Sequence, residues 1–292
     1  MSTRSKSAST PAETLTEGQK KALLTLLWDE DPNVYGAVRE KILALGDSAQ
    51  PWLRSESLSP IPTQRRRILE ILDCLDRRRF DDEFLAFCLN SGEDLCLETG
   101  VWLMAQTRYP KINPLGYSAI LDDLAGEIQP FLQHDDTPEQ QLQRINQCLF
   151  GSFRLRGNEK NYYEQENSYL NQVIDRRTGN PISLSIVYIL IARRLKLPIV
   201  GIGMPGHFLC RHQSSFGEIF IDAFNEGRLL SKAECVRYLL QTPHGYQEPY
   251  LAPITPRRIL LRICSNLHQI YHRSDAESET ERFQRYIVAL AN

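Results

Sequence analysis

The sequence predicts an α+β fold, predominantly helical, in which one buried helix packs on a small antiparallel sheet and helical regions flank that core on both sides. Three observations carry the expectation. Apolar residues recur three and four apart through most of the first 150 residues. "PISLSIVYILIARRLKL" is an almost unbroken apolar run opened by a proline. "PIVGIGM", "HFLCRH" and "EIFIDAF" are short, rich in β-branched and aromatic residues, and divided by glycine and polar residues, as antiparallel strands are.

The 292 residues hold enough material for one large domain or two modest ones. A formal net charge of -2 leaves no basic footprint for a nucleic acid. No run approaches the roughly 18 to 20 apolar residues of a membrane span, and the N-terminus lacks the apolar segment of an export signal. The seven cysteines are odd in number and never form CxxC, so they read as reduced core residues of a cytoplasmic protein.

Residues 1–16, rich in Ser, Thr, Ala and Pro, are expected to be a disordered tail. A helical N-terminal lobe follows over 17–150. Its amphipathic segments are "EGQKKALLTLLWDE", "PNVYGAVREKILALG", "PTQRRRILEILDCLDRR", "DDEFLAFCLN", "DLCLETGVWLMAQTRYP", "LGYSAILDDLAGEIQPFL" and "TPEQQLQRINQCLFGSF". No fixed repeat period runs through them. Over 151–250 lies the mixed core. It opens with the polar, aromatic stretch "RLRGNEKNYYEQENSYLNQVIDRRTGN", too long to be an idle connection and therefore read as an ordered, functional loop. The buried helix, the strands and a helix "SKAECVRYLLQ" capped by Ser231 complete it. Residues 251–292 form a helix pair resembling one tetratricopeptide-type unit, which must dock on other helices to bury its apolar face.

The order helix, strand with His, strand with Asp permits a three-part site. Ser183, in the first turn of the buried helix, would be the nucleophile, His207 the base and Asp222 its orienting carboxylate. Backbone N–H groups at the start of that helix would stand beside the reacting atom.

These same residues carry a family resemblance. "NSYLNQVIDRRTGNPISLSIVYILIARRLKLPIVGIGMPGHFLCRH", followed by "IFIDAFNEGRLLS", resembles the SirB family of transglutaminase-like proteins, a domain found in bacteria and also fused within an animal F-box protein. The match is dense from about Tyr162 to Leu230. The resemblance implies a transglutaminase/papain-like core with a Cys at the N-terminus of the core helix, a His on the next strand and an Asp on the one after. His207 and Asp222 fall on the second and third positions; in "GNPISLS" there is no cysteine, and Ser183 is the nearest polar substitute. Two readings follow: a pseudoenzyme, inactive or with residual activity, that binds a protein or peptide as a regulatory or assembly factor, or a hydrolase or acyl-transferase with a Ser183-His207-Asp222 triad. A third makes the helical ends a scaffold.

Each residue also has a plainer reading. Ser183 serves as an ordinary helix-start residue, Asp222 as a cap on the turn before "NEG", and His207 as a structural histidine. Asn167, Asn171 and Arg177 are binding candidates, although loop asparagines also satisfy their own backbone. Cys210, three residues after His207, should point to the opposite sheet face. His212, His268 and His272 have no complete metal shell around them, "RRR" at 65–67 and 77–79 read as solvated surface, and "GIGMPG" precedes a strand instead of a helix, so no cofactor is expected.

Overall fold

The computed structural model describes residues 15–214 and 217–292. It divides into two compact units, Met1–Asp82 and Glu83–Asn292. The tail expected over 1–16 lies outside the described residues, apart from Leu15 and Thr16.

In the first unit, α1 (Glu17–Leu27), α2 (Pro32–Ala44), α3 (Gln50–Glu56) and the first part of α4 (Pro62–Asn90) close around Leu27, Ile42, Leu53, Ile68 and Ile71. Thr16 and Asp31 cap α1 and α2. Two arginines of the triplets expected on a solvated face turn inward. Arg67 Nη1 donates to the carbonyls of Leu27 (2.6 Å) and Asp29 (2.8 Å), and its guanidinium lies 4.4 Å over the Tyr35 ring. Arg78 reaches the carbonyl of Leu43 at 3.3 Å. Both meet carbonyls that the ends of α1 and α2 leave without helical partners. The two helices expected on either side of "RRRFDD" are one, because a charged cluster without Gly or Pro does not end a helix.

The second unit adds α5 (Leu97–Arg108), α6 (Pro114–Ile128) and α7 (Pro138–Asn146), the last running into a π-helical turn over Gln147–Ser152. The polar stretch read as a loop contains structure of its own. β1 (Arg156–Gly157) pairs in parallel with β2 (Thr178–Gly179), and α8 (Leu170–Arg176) lies between them. Then comes α9 (Pro181–Arg194), buried at every residue from Pro181 to Ala192, as its unbroken apolar sequence requires.

β3 (Ile199–Ile202), β4 (Leu209–Ser214), β5 (Gly217–Asp222), β6 (Arg228–Leu230) and β7 (Pro253–Ile254) form a sheet of order β6-β5-β4-β3-β7, antiparallel throughout. α10 (Lys232–Leu240), capped by Ser231, precedes β7; α11 (Pro256–Arg273) and α12 (Glu277–Ala291) end the chain. Strand alternation sorts the two faces. Cys210, opposite Ile221, joins the core of α9, whereas Leu209 and Phe220 pack with Cys235 and Leu239 of α10.

The core around α9 also takes in Met104, Leu121 and Ile145 from before the sheet and Leu260, Phe283 and Tyr286 from after it. One apolar core therefore spans residues 150/151 and 250/251, the points at which the sequence reading divides the chain. Two cations, half-buried Arg194 and buried Arg257, knit its helices. Arg194 bonds Glu98 of α5 at 2.8 and 3.0 Å and Asp122 of α6 at 2.6 Å. Burial opposes ionisation of Glu98, but the bonds from Arg194 and Ser118 outweigh it and hold its carboxyl below the usual range. Arg257 donates to four carbonyls: Cys88 (2.8 Å) and Ser91 (2.9 Å) at the end of α4, Ala289 (2.6 Å) and Leu290 (2.9 Å) at the end of α12.

Replacing Arg257 by methionine keeps the stem and strands those carbonyls. The expected cost is about 3–5 kcal/mol in urea unfolding monitored by circular dichroism; a change within about 0.5 kcal/mol would remove Arg257 from the framework.

Candidate functional site

The chain reaches His207 through a tight turn. Pro205 sets the entry, Gly206 adopts φ 75°, and the His207 N–H donates to the Met204 carbonyl at 3.3 Å. His207 therefore stands two residues before β4, not on the strand. Its Nε2 lies 2.9 Å from Oδ2 of Asp222, the last residue of β5. Asp222 also does the plainer job: its Oδ1 accepts from the Asn225 N–H at 3.2 Å and its Oδ2 from Asn225 Nδ2 at 2.8 Å, capping the turn that follows. Burial pushes the Asp222 carboxyl up, and the bonds from His207 and Asn225 more than offset this, leaving it below the usual carboxylate range. Among the described residues His207 Nδ1 has no hydrogen-bond partner.

Ser183 is not with them. It is 1% exposed, and its Oγ donates to the carbonyl of Asn167 at 2.6 Å, with the Asn180 carbonyl at 3.1 Å. The same Oγ accepts from the Asn180 N–H (3.1 Å) while Asn180 Oδ1 accepts from the Ser183 N–H (3.0 Å), a reciprocal capping box that starts α9. Gly179 makes room for it, since a Cβ there would sit 2.6 Å from Ser183 Oγ. Among the described residues Ser183 Oγ makes no hydrogen bond to His207 or Asp222; its bonds go to helix and loop backbone. The α9 residue that lines the space beside both His207 and Asp222 is Pro181, with Ile182 lining the other side of His207.

That space is a cleft in two parts, of about 780 and 660 Å³, which share Tyr162, Tyr163, Pro181, Gly206 and His207. His207 thus stands on the wall common to both. Phe224 and Tyr238 flank its ring at 6.3 and 6.1 Å between centroids. Arg262 of α11 donates Nη2 to the carbonyls of Met204 (2.5 Å) and His207 (3.1 Å), pinning the turn from the side of the C-terminal helices.

The three binding candidates lie elsewhere. Asn167 is fully buried and staples its loop, donating Nδ2 to the carbonyls of Asn161 and Tyr162 and accepting from Asn158. Asn171 is buried on α8, and Arg177 ends that helix with φ 55° and lies 4.9 Å over Phe153. None of them lines either part of the cleft. The lining that sequence reasoning missed had one legible sign each: the paired tyrosines of "NYYEQEN", and a basic residue set within the apolar face of α11.

Cys210 points away from His207, as alternation predicts: its Sγ is 3.5 Å from the Ser185 carbonyl, and burial pushes the thiol up to about 12. Of the seven thiols Cys88, Cys210, Cys235 and Cys264 are buried and Cys74 and Cys148 half-buried, but Cys96 is exposed, so the expectation of core cysteines fails there. Among the described residues no group of three or more His, Cys, Asp or Glu side chains is placed to hold a metal, and no helix is long and apolar enough to cross a membrane. His268 and His272 stack 6.3 Å apart on α11 without a third ligand.

Residues 116–265, which carry the core helix, the His-bearing turn and the Asp-bearing strand, match the family model described as the transglutaminase-like superfamily. The chain belongs to that superfamily. This transglutaminase-like protein is 34% identical over 205 residues to a UPF0162 protein of Xylella fastidiosa, covering 68% of this chain and 73% of that one. It is 30% identical over 194 residues to a UPF0162 protein of Pseudomonas aeruginosa (63% and 67%). With mouse F-box only protein 21 it shares 34% over 151 residues, 49% of this chain and 23% of that protein. No solved structure matches the chain.

Two outcomes test the site. Because the Asp222 carboxyl titrates lower folded than unfolded, the stability it contributes is complete above the unfolded carboxylate pKa, near ~4, and is lost as pH falls through the folded value. The unfolding free energy of Asp222→Asn from urea titration should fall below wild type by about 1–3 kcal/mol at neutral pH, and the gap should close on acidification; a gap independent of pH would refute this. Ser183→Ala should cost about 1–3 kcal/mol in the same assay, from the lost cap and buried bond; a neutral substitution would mean that the hydroxyl does not hold the helix start.

Proposed function

We propose that this transglutaminase-like protein is a binding protein: it uses the cleft around His207 to hold a segment of a protein partner, in a regulatory or assembly role, without acyl-transfer chemistry. One observation carries this reading. Pro181 is the α9 residue that lines the cleft part containing His207 and Asp222, and the only hydroxyl in the first turn of that helix, Ser183, is bonded to the Asn167 carbonyl at 2.6 Å. A nucleophile must lie within hydrogen-bond reach of its base.

Support of a coarser kind comes from the SirB resemblance, which gives a domain of this type both as a bacterial protein and as part of an animal F-box protein. The tetratricopeptide-like character of α11 and α12, the division of function between 17–150, 151–250 and 251–292, and a cytoplasmic location belong to the same proposal.

The intact His207–Asp222 pair favours a second reading, a serine hydrolase or acyl-transferase. It requires Ser183 Oγ to leave the Asn167 carbonyl, break the capping box and swing into the cleft, at the cost of a buried, unpaired helix start.

A fluorophosphonate probe separates the two. Wild type, Ser183→Ala and His207→Ala should label equally weakly, read by mass spectrometry of the modified peptides with each fold checked by thermal melting. Labelling at Ser183 that disappears in His207→Ala would establish the enzyme and end the binding-only reading.

A further inference from the structure

The two parts of the cleft differ in charge. The larger part, toward the C-terminal helices, has Arg258, Arg262 and Arg273 in its wall against one acid, Glu93, whose Oε2 already accepts from the Thr255 hydroxyl at 2.5 Å. The smaller part, toward α10, is balanced: Arg228 and Arg237 stand against Glu234 and Asp222, with Arg228 paired to Glu234 at 3.4 Å and Asp222 held by His207. A chain with a formal net charge of -2 thus sets its positive potential inside a cavity.

Arg262 is the centre of that potential. Its bonds go to carbonyl oxygens, which orient the guanidinium without neutralising it, and burial depresses its pKa, with Tyr162 the nearest opposing group. Arg273 spreads over the Tyr163 ring at 4.6 Å, which fixes its head at the cavity mouth. Arg258 is exposed on the same helix, four residues before Arg262 and therefore on the same face. Among the described residues none of the three has a carboxylate partner.

We infer that the cleft takes an extended acidic segment of a partner protein, with Asp or Glu side chains in the arginine-lined part and uncharged, apolar side chains past His207 in the α10 part. The inference deepens the binding reading above and rests on it. A partially desolvated arginine is most improved by a planar, bidentate carboxylate. Because the cleft continues on both sides of His207, its occupant passes through instead of ending there. Tyr162, Tyr163 and Tyr238 supply rigid, amphipathic walls of the kind that anchor peptides.

A positional-scanning library of fluorescent decapeptides tests this on the full chain, against wild type, Arg258→Glu/Arg273→Glu and Tyr238→Ala, with an RNA decamer alongside. All the substituted residues are exposed, and melting curves confirm folding. The expected result is enrichment of Asp and Glu in one half of the peptide and of apolar residues in the other. Affinity should fall about tenfold in the double variant, with preference shifting toward Lys and Arg. Binding that Tyr238→Ala weakens but that shows no acidic preference, or an acidic preference the double variant leaves unchanged, overturns the charge assignment and leaves the binding reading standing. No enriched peptide at all overturns both. An RNA decamer held more tightly than every peptide overturns the assignment of a protein segment.

Discussion

Burial of α9 on all sides is the constraint from which the site follows. A helix surrounded by apolar side chains cannot leave its first-turn donors to water, so its start must be closed by protein groups. Asn180 and Ser183 do this for one another, and the Ser183 hydroxyl is then spent on the Asn167 carbonyl. That carbonyl belongs to the loop that also carries Tyr162 and Tyr163, since Asn167 Nδ2 bonds the carbonyls of Asn161 and Tyr162. One polar knot therefore both starts the central helix and shapes a wall of the cleft. A serine so placed satisfies buried backbone at the start of α9.

The second half of the site is held from the opposite direction. β4 and β5 bring His207 and Asp222 together, and α11 fixes the turn before β4 through Arg262, which meets two carbonyls of that turn. The helix pair at the end of the chain is thus not an appendage of the core: its Arg257 closes two helix ends, its apolar face joins the core of α9, and its arginines give the cleft its charge. Charge, aromatic walls and an imidazole nitrogen without a hydrogen-bond partner among the described residues then coexist in one cleft.

Much of this was legible in the residues. Periodicity gave α9, β4 just after His207, the strand carrying Asp222, and the cap at Ser231, because each rests on local chemistry. The pairing of His207 with Asp222 followed from strand order. The misreadings have a common source, in that they concern which partner a polar side chain finds at long range. Ser183 was read as a nucleophile because its turn is right, but its direction depends on Asn167, sixteen residues earlier. Asn167 and Asn171 read as lining a groove, whereas loop backbone claims Asn167 and Asn171 is buried on α8. Arg67 and Arg78 look like surface charges in a helical pattern and turn out to meet carbonyls at helix ends. The break expected within α4 failed for a different reason, since charge clusters are weaker breaks than Gly or Pro.

The central claim is that the face of α9 presented to His207 is Pro181, with Ser183 turned to the backbone. Site-resolved alkylation by iodoacetamide, followed by peptide mass spectrometry in Pro181→Cys and Ser183→Cys, tests it directly. The account predicts fast alkylation of Pro181→Cys with a thiol pKa below the usual ~8.5, slowed when His207 is also replaced by alanine, and slow, His207-independent alkylation of Ser183→Cys. Fast, His207-dependent alkylation of Ser183→Cys, with Pro181→Cys inert, would contradict it.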